Sequence, residues 1–382
     1  DSGSGYLSIT NSFATPVVIC PESGHPGKVT ITGVSGVCGM VLPNAQNIHF
    51  DAITFEAQAS ATTAAMRLVY TTQGLMRWTR CTFRARSTSG GTALCIASAW
   101  VSSVSFPVNN FTWDRCTFEQ IGPYGAAGML LDNPGPGVAS NIRIQDCDFY
   151  TGNWPCRLLG VTNAVIENNR MVSFSPLVSG HAFQFGVDGA TGIGCSGVVS
   201  GNTFRTLNSH AAVIGAGCNG VVVTNNRFYG GDNASNGQGL VVKSCQNVRI
   251  EKNIIHSGYL SGLYFKGATD CQAFDNIVYN RHSLSAALRV QQNPEPSGTA
   301  CARLTVRRNY FHATIGQVLN IGTSVDDSGG SYYDENVCAP TGTGTLGSVY
   351  GSTVTKTTEL RAAWANYDRP AYDRNTRIGV TR

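Results

Sequence analysis

The sequence predicts an all-β solenoid, in which short parallel strands wind into about eleven to twelve stacked coils. The composition is rich in turn formers and poor in charge: 44 of the 382 residues are glycine and 13% are charged, about half the usual share. Hydrophobic runs alternate with a period of two, as strands require. A short asparagine-containing signature returns every 22 to 35 residues, which is typical of a repeat architecture with loops of variable length.

The repeated signature places an asparagine two residues before a large apolar residue, as in "NNRFYGG" at 225–231. Aligned on the asparagine, the first column reads Ile53, Cys81, Cys116, Cys147, Asn169, Asn202, Asn226, Asn253, Asn276, Asn309 and Asn336. Two residues later the second column reads Phe55, Phe83, Phe118, Phe149, Met171, Phe204, Phe228, Ile255, Val278 and Phe311. Each row of this alignment is one predicted coil.

Short β-branched runs stand before the asparagine, among them "VVVT", "VRIE", "LTVR" and "IRIQ". They alternate apolar and polar residues, so each predicts a strand. One segment, "TTELRAAWANY" at 357–367, instead has a helical pattern, with Thr357 as the N-cap and Glu359 in the first turn. The sequence therefore predicts a solenoid over residues 5–340 and a C-terminal cap with a short helix over 341–382.

The coil signature "VxIxxNxF" resembles that of the right-handed parallel β-helices of the pectate-lyase-like superfamily. That superfamily includes polysaccharide lyases, galacturonases, uronate epimerases and phage tailspikes. The resemblance covers about residues 5–340 and implies a single-stranded right-handed parallel β-helix that holds a polysaccharide in a groove along one sheet. Because many functions share this fold, the function has to be argued from individual side chains.

Two columns of small polar or sulfur-containing residues are expected to be structural. Coils stack ~4.8 Å apart, so each column asparagine can hydrogen-bond the next one, and we expect it to adopt a left-handed backbone conformation. Cysteines fill the N-terminal part of this column and form a second one at Cys195, Cys218, Cys245, Cys271 and Cys301. Stacked cysteines suit disulfide torsions poorly, so we expect them to be buried and reduced.

The resemblance implies that the groove lies on the strands that follow the long loops. These are "GMLLD" (128–132), "PCRLL" (155–159), "AFQFG" (182–186), "AAVIG" (211–215), "GLVVK" (239–243), "GLYFK" (262–266), "ALRVQ" (287–291) and "VLNIG" (318–322). Their second and fourth residues should point inward, and the first, third and fifth should face the groove. The first position is almost always small, which fits either tight turn packing or a floor that a flat sugar chain can approach.

The remaining outward positions place a cationic and partly aromatic patch on three consecutive coils. Its members are Lys243, Lys266, Tyr264, Arg289 and Gln291. Such a patch suits an acidic sugar chain, because arginine binds a carboxylate bidentately, lysine acts as a point charge and tyrosine stacks on sugar rings. Solvated strand faces often carry lysine and arginine too, so a purely structural interpretation stays open.

One residue before four consecutive groove strands stand Trp154, His181, His210 and Gln238. Two histidines on adjacent coils would lie roughly 5 Å apart, and repulsion would keep at least one of them neutral and able to act as a base. A polar corner ladder is the structural alternative. The other substrate-binding candidates are Arg157, Gln184, Gln291, Tyr259, Asp132 and Asp188.

β-Elimination from an acidic glycan is the leading hypothesis for the chemistry. It needs a cation at the uronate carboxylate, a base for the C5 proton and an acid for the departing C4 oxygen. Arg289 or Arg157 could supply the cation, and Tyr264 or Tyr259 the acid. The full set of catalytic candidates is Lys243, Lys266, Tyr264, His210, His181 and Arg289.

Two alternatives use the same groove. Hydrolysis needs two carboxylates ~5 Å or ~6.5–9.5 Å apart, for which the groove offers Asp132 and Asp188 on different columns. The groove could also hold a surface polysaccharide without cutting it, as a phage tailspike does. In that case the resemblance implies a homotrimer. Either way we expect the protein to be extracellular or virion-associated.

Several other partners are not predicted. The net charge of +4 comes without a run of basic residues, which argues against nucleic acid. No apolar stretch is long enough to span a membrane. No C-x-x-C pair offers a metal site. The resemblance implies that calcium can assist catalysis, but the acidic cluster expected for a pectate lyase is not visible on the groove strands.

Overall fold

The computed structural model describes residues 7–9, 12–22, 29–33, 40–43, 46–57, 64–69, 75–86, 94–98, 109–122, 127–132, 139–174, 180–188, 194–232, 237–283, 286–293, 300–322, 331–349, 352–354 and 377–378. The chain divides into unit 1, Asp1–Gln184 with Cys195–Thr203, and unit 2, Phe185–Gly194 with Phe204–Arg382. The described residues form strands and turns and contain no helix. The predicted capping helix at 357–367 lies outside them.

Unit 1 is built from coils of three strands, which form three parallel sheets. Its first sheet contains β1 (Leu7–Ser8), β4 (Met40–Pro43), β7 (Ala64–Val69), β10 (Leu94–Ser98), β13 (Ala127–Asp132) and β16 (Asn153–Leu159). The second contains β2 (Ser12–Ile19), β5 (Gln46–Asp51), β8 (Met76–Thr79), β11 (Asn109–Asp114), β14 (Ala139–Gln145), β17 (Val161–Thr162), β18 (Ala164–Glu167) and β21 (Gly197–Ser200). The third contains β3 (Thr30–Gly33), β6 (Thr54–Ala57), β9 (Thr82–Arg86), β12 (Thr117–Ile121), β15 (Asp148–Thr151) and β19 (Arg170–Ser173).

Unit 2 also contains three sheets. Its first sheet contains β23 (Ala212–Ile214), β26 (Leu240–Lys243), β29 (Leu263–Lys266), β32 (Ala286–Gln291), β35 (Gln317–Ile321), β38 (Thr345–Val349) and the antiparallel edge strand β39 (Ser352–Val354). The second contains β24 (Val221–Thr224), β27 (Arg249–Glu251), β30 (Gln272–Phe274), β33 (Thr305–Arg307) and β36 (Tyr332–Asp334). The third contains β25 (Arg227–Tyr229), β28 (Ile254–His256), β31 (Ile277–Asn280), β34 (Tyr310–Ala313), β37 (Val337–Pro340) and β40 (Arg377–Ile378). The division between the units falls within β20 (Phe183–Phe185) and β22 (Thr203–Thr206).

The predicted parallel β-helix is confirmed, because strands one coil apart pair in parallel in every sheet of each unit. Predicted groove strands lie in the first sheet, and their register in unit 2 is the one read from the sequence. One outward column runs Val213, Val241, Tyr264, Arg289, Asn320, and the next runs Lys243, Lys266, Gln291. The sequence alignment therefore places these side chains on adjacent rungs.

Stacked aromatic rings fill the interior of unit 1. Phe55, Phe83, Phe118 and Phe149 come from the third sheet and follow one another with ring centroids 5.2, 4.9 and 4.1 Å apart. All four are fully buried. Burial of each such ring contributes about 1.5–3 kcal/mol, so the apolar residue two positions after each column residue is a core residue in this unit.

The predicted asparagine ladder is present. In unit 2 the side-chain amide nitrogen of each asparagine donates to the Oδ1 of the next, from Asn226 through Asn253, Asn276 and Asn309 to Asn336, over 2.9–3.1 Å. The same Oδ1 atoms also accept a backbone N–H from the previous coil. In unit 1 Asn169 donates to Asn202 in the same way.

The backbone conformation predicted for these asparagines is wrong by one residue. The left-handed residue is the one before the ladder position, with φ of 56° at Asn225, 55° at Lys252, 55° at Asp275 and 54° at Arg308. This residue makes the turn between two sheets, and the turn aims the following asparagine inward. The same conformation occurs at Ala52 before Ile53, and the turn N–H bonds the next coil, as Lys252 does to the Phe274 carbonyl at 3.1 Å. The position in the coil therefore fixes the turn, whichever residue occupies it.

The cysteine columns also agree with the expectation. Cys81, Cys116 and Cys147 in the first column, and Cys195, Cys218, Cys245, Cys271 and Cys301 in the second, are all buried and carry free thiols. The Cys81, Cys116 and Cys147 thiols donate to backbone carbonyls, for example Cys116 Sγ to the oxygen of Trp78 at 3.4 Å. They thus replace asparagine at the turn while adding no unpaired polar group to the core.

The small residues at the first groove position do not form a sugar-binding floor in unit 2. A β-carbon on Gly239 would collide with the side chain of Ile255, and one on Gly262 would collide with the side chain of Val278. Ile255 and Val278 are core residues of the third sheet. A side chain at either position would therefore face the core. Of the two interpretations of these small residues, tight packing is the correct one for Gly239 and Gly262.

Candidate functional site

The outward face of the first sheet in unit 2 carries the predicted patch, but this face is largely covered. Val213, Val241 and Tyr264 point outward on consecutive rungs and pack against one another with 0%, 3% and 7% of their surface exposed. An open groove would leave such side chains in water. The expectation that this column lines an open groove is therefore wrong for these three residues.

A short segment, residues 185–188, is fixed to the next coil and will be called the strap. The N–H of Gly215 donates to the carbonyl of Phe185 at 2.7 Å, and the N–H of Ala216 donates to that of Val187 at 2.7 Å. Gly186 makes the turn with a φ of 84°. A β-carbon on Gly215 would collide with the carbonyl of Val187, so only glycine at 215 allows the strap to lie this close.

The strap ends at Asp188, which pairs with Lys243 on β26. The Lys243 ammonium donates to Oδ1 of Asp188 at 3.1 Å and approaches the Asp188 carbonyl oxygen at 3.4 Å. Only 11% of the Lys243 side chain is exposed. Charge-assisted hydrogen bonds in such a partly desolvated place are strong, so this pair holds the strap against the sheet.

His210 belongs to the same cluster. A ring nitrogen of His210 and a carboxylate oxygen of Asp188 lie within 4.8 Å of each other, and the histidine is 8% exposed. A carboxylate and an imidazole can also ligate a metal. Here the Lys243 ammonium already neutralises the carboxylate, so the unit 2 residues of this cluster fit a proton-transfer site better than a divalent-cation site.

Tyr264, Arg289 and Gln291 form the second part of the patch. The Tyr264 hydroxyl donates to Oε1 of Gln291 at 3.1 Å, and the Arg289 guanidinium lies 5.0 Å from the centroid of the Tyr264 ring. Burial raises the pKa of Tyr264, and the nearby Arg289 charge opposes that shift only in part. The phenol is therefore neutral across the physiological range, and the arginine lies over its ring.

Three further predicted residues of unit 2 lie on the first sheet or in the loops that lead into its strands: Lys266, Gln238 and Tyr259. Lys266 is half-buried and pairs in register with Lys243 on one side and Gln291 on the other. Gln238 is 6% exposed, and its Oε1 is buried without a hydrogen-bond partner. In the loops before β29 and β32, the rings of Tyr259 and His282 lie with centroids 3.9 Å apart and are tilted by 30°.

In unit 1 the predicted residues form a separate arrangement. The Arg157 guanidinium lies 5.1 Å from the centroid of Trp154, and Trp154 packs against the outward cluster of Ala64, Ala127 and Leu130. The pairing of β13 with β16 shifts register at this point, and Trp154 has a φ of 29°. This β-bulge re-aims the tryptophan side chain along the sheet surface.

The remaining candidates of unit 1 are placed as follows. His181 and Gln184 are buried, with 7% and 5% of their surface exposed. Asp132 ends β13, where it pairs with Leu159. The predicted stacking of His181 on His210 joins residues of different units and stays a prediction.

Sequence reasoning missed the strap. The sequence offers Asp188 as a carboxylate for hydrolysis, whereas its partner in the structure is Lys243, 55 positions later. The two glycines that allow the strap to pass, Gly186 and Gly215, end the predicted strands "AFQFG" and "AAVIG" and could have signalled a close approach of two backbones.

A family model described as "Right handed beta helix region" matches residues 135–301 and, in a second overlapping match, 175–337. Together the two matches span more than half of the chain. No curated protein matches the sequence. Among the described residues, no helix has the length and apolarity that crossing a membrane would require.

Solved structures with similarity to this chain include two carbohydrate-active enzymes and a tailspike. The Dettilon tailspike protein has a TM-score of 0.46 at 11% identity, over 89% of this chain and 61% of its own. The A-module of a mannuronan C-5 epimerase of Azotobacter vinelandii has a TM-score of 0.44 at 12% identity, over 100% of this chain and 92% of its own. A mannuronic acid specific polysaccharide family 6 lyase from human gut microbiota has a TM-score of 0.45 at 12% identity, over 94% and 81%. The chain thus spans less than two thirds of the tailspike's length.

Proposed function

The chain belongs to the right-handed beta helix family, and from the side chains on the first sheet of unit 2 we propose that it binds an acidic polysaccharide and cleaves it by β-elimination. The observation that carries the proposal is one sheet face on which His210 lies beside the Asp188–Lys243 pair and Tyr264 contacts Arg289 and Gln291. A base, an acid and several cations are thus available on adjacent rungs.

The cations of this face support an anionic ligand. Lys243, Lys266 and Arg289 come from three consecutive strands, which stack ~4.8 Å apart. A sugar chain that carries a carboxylate on each residue can meet these charges in turn. Arg289 is the best candidate for the carboxylate of the reacting sugar, because its guanidinium offers two parallel donors and the Tyr264 ring orients it.

His210 is the proposed base for the proton at C5. The sequence also offers Lys243, Lys266 and His181 as bases. Lys243 is the ammonium donor of the ion pair with Asp188, and an ammonium has no lone pair to accept a proton. The neutral imidazole of His210 can accept it, and the nearby carboxylate of Asp188 stabilises the imidazolium that forms. Lys243 then contributes its positive charge to the binding of the ligand.

Tyr264 is the proposed acid for the departing C4 oxygen. Its raised pKa keeps the phenol protonated, which an acid requires. The guanidinium next to the ring stabilises the phenolate that would form as the proton leaves. Before the sugar enters, the Tyr264 hydroxyl donates to Gln291. During the reaction the O–H bond must rotate away from Gln291 so that it donates to the leaving oxygen.

Hydrolysis ranks below elimination because the carboxylate in this cluster is engaged. A glycosidase needs one carboxylate as an acid and a second as a base or nucleophile. Asp188 is bonded to the Lys243 ammonium, so this carboxylate is already engaged in an ion pair. If the face binds a glycan without cutting it, as the tailspike alternative predicts, the same cations serve recognition alone.

The test is incubation with a panel of uronate polysaccharides, with the ultraviolet absorbance of the unsaturated product and the release of reducing ends followed in parallel. Elimination gives both signals. His210→Ala should then lower the rate by about 10²–10⁴-fold, whereas the control His312→Ala, on the third sheet, should not. Reducing ends without absorbance would mean hydrolysis. A bound but intact polysaccharide would mean recognition alone.

A polysaccharide ligand fits an extracellular or virion-associated protein, and a virion spike would be a homotrimer. Sedimentation equilibrium of the purified chain measures the oligomeric state. A mass near three chains supports the spike, and a mass of one chain supports a free enzyme.

A further inference from the structure

We infer that Asp188 is an internal competitor for the Lys243 ammonium, so that an acidic ligand enters the first-sheet face of unit 2 by displacing this carboxylate. The inference rests on the proposed function and adds a specificity device to it. Neutral glycans carry no group that can replace Asp188, whereas each carboxylate of an acidic glycan can.

The first observation is the position of the ion pair. Lys243 is the last residue of β26 and lies in register with Lys266, within the cationic column that the glycan is proposed to follow. Its side chain is 11% exposed, and the donor contacts Asp188 twice, through Oδ1 at 3.1 Å and the carbonyl oxygen at 3.4 Å. A ligand carboxylate therefore has to compete with Asp188 for this ammonium.

The second observation is that Asp188 comes from outside the column. It arrives on the strap from a coil 55 positions earlier in the chain, and the strap is tied to Gly215 and Ala216 by two short backbone hydrogen bonds. Asp188 itself is more exposed than Lys243, with 30% of its side chain in solvent. Its carboxylate can therefore turn away from Lys243 and stay near His210 without breaking the bonds that hold residues 185–187.

The third observation is the packing around Gly215. The carbonyl of Val187 lies where a β-carbon of residue 215 would be, so the strap keeps its place only while this position is glycine. Gly215→Ala would push the strap outward and weaken the ion pair without altering Asp188 or Lys243. This variant tests the geometry of the pair separately from its charge.

The exchange requires no covalent step. The ammonium loses two acceptors on Asp188 and gains a carboxylate of the ligand, while Asp188 gains water. Because one carboxylate replaces another, the net charge at Lys243 does not change on binding, and the cost of ligand entry is the loss of the Asp188 contacts. Removing that competitor should therefore strengthen the binding of anions and leave neutral sugars unaffected.

The experiment uses the full chain and two probes, inorganic sulfate and a polyuronate from the panel above. The chain has five lysines, so methyl-labelled lysines give few NMR signals, and Lys243→Arg identifies the signal of Lys243. Asp188→Asn should bind either probe about tenfold more tightly than the wild type, since a hydrogen bond to a charged group is worth at least that factor. Asp188→Asn combined with Lys243→Gln should lose the gain.

Equal or weaker binding of both probes by Asp188→Asn would overturn the inference. If no polyuronate binds either protein, the proposed function fails, and the sulfate titration at the Lys243 signal still decides whether Asp188 competes for it. Gly215→Ala should shift affinity in the same direction as Asp188→Asn. A circular dichroism melt of each variant verifies that the fold persists, and a folded Gly215→Ala protein with wild-type affinity would also count against the strap.

Discussion

The hydroxyl of Tyr264 donates to Oε1 of Gln291 at 3.1 Å, and these residues lie on the neighbouring strands β29 and β32 of the first sheet. The bond joins two outward columns that the sequence alignment treats as separate. It holds the phenol near Arg289, whose guanidinium covers the ring. The proposed acid of the reaction is thus fixed by contacts from one adjacent coil.

Tyr264→Phe should abolish most of the elimination while preserving binding of the polysaccharide. We expect the rate to fall by about 10²–10⁴-fold, since proton transfer to the leaving oxygen is lost, and the dissociation constant to change little. Steady-state kinetics and calorimetric titration measure the two effects. Tyr279→Phe on the third sheet is the matched control. A Tyr264→Phe enzyme with a normal rate would exclude this residue as the acid.

The pH dependence of the rate gives a second measure of Tyr264. An unperturbed tyrosine has a pKa near 10.0, and burial raises that of Tyr264. The protonated form that acts as an acid therefore persists above pH 10, so the alkaline decline of the rate should not begin below that value. An alkaline limb near neutral pH that disappears in Tyr264→Phe would contradict this assignment.

Asn253→Ala should destabilise the solenoid. Its Oδ1 accepts hydrogen bonds from the backbone N–H and the side chain of Asn226, and its Nδ2 donates to Asn276 and to the carbonyl of Val223. Leaving buried donors unpaired costs about 1–3 kcal/mol for each group, so we expect a loss of about 2–4 kcal/mol in the free energy of unfolding. Urea titration measures it.

Asn219→Ala is the control for that variant, because Asn219 is an exposed asparagine of unit 2 that accepts one bond, from Asn247. Its effect should be within about 0.5 kcal/mol of zero. Equal losses in Asn219→Ala and Asn253→Ala would mean that the ladder adds no stability beyond an ordinary surface bond.

Stability should fall as the pH drops below about 6.5, partly through His256. This histidine is stacked between Tyr229 and Tyr279 at 5.0 and 4.9 Å, and burial, followed by the Arg281 charge, lowers its pKa from the ordinary 6.5. Between the two pKa values the unfolded chain binds more protons than the folded one, so acid favours unfolding. Above pH 6.5 both forms are neutral and the effect vanishes.

His256→Phe should therefore flatten the dependence of the melting temperature on pH between pH 7 and pH 5 relative to the wild type. Tyr229→Phe, which changes the same stack without removing a group that titrates in this range, should keep the wild-type slope. A steeper decline in His256→Phe would show that the sign of the pKa shift is wrong.

Chelators should leave polysaccharide binding unchanged. In unit 2 Lys243, Lys266 and Arg289 supply the positive charges that the ligand is proposed to meet, so binding at this face requires no divalent cation. Titration of the same polyuronate with and without EDTA measures this. A large loss of affinity in EDTA, restored by calcium, would mean that the cation takes the place of the ammonium in the complex.

Much of the fold could be predicted from local patterns. The register Val241–Tyr264–Arg289 and the ladder from Asn226 to Asn336 follow from aligning the repeats, because stacked coils place equal positions of each repeat at the same place in the cross-section. The left-handed turn was displaced by one residue, since the tolerance of asparagine for that conformation suggested the wrong position. Here the position in the coil, rather than intrinsic preference, decides which residue turns, because Ala52 and Lys252 adopt the same conformation.

Less of the site could be predicted. The sequence indicated the residues of the patch, but it treated Tyr264, Val241 and Val213 as open to solvent. Exposure depends on which loops cross the sheet, and loop paths are not periodic. The contact of Arg289 with Tyr264 could be predicted from the alignment, because these residues are register partners. The contact of Asp188 with Lys243 could not, because Asp188 does not belong to a repeated column.

By itself the sequence determined the parallel solenoid, the phase of its coils, and the columns that carry asparagine, cysteine and the cationic patch. These features repeat from coil to coil, so period and spacing are sufficient to infer them. Only the tertiary structure decided that the glycines at 239 and 262 face the core and that the strap brings Asp188 to Lys243. Both result from contacts between residues that are not neighbours in sequence, where a side chain or a backbone carbonyl packs against a glycine.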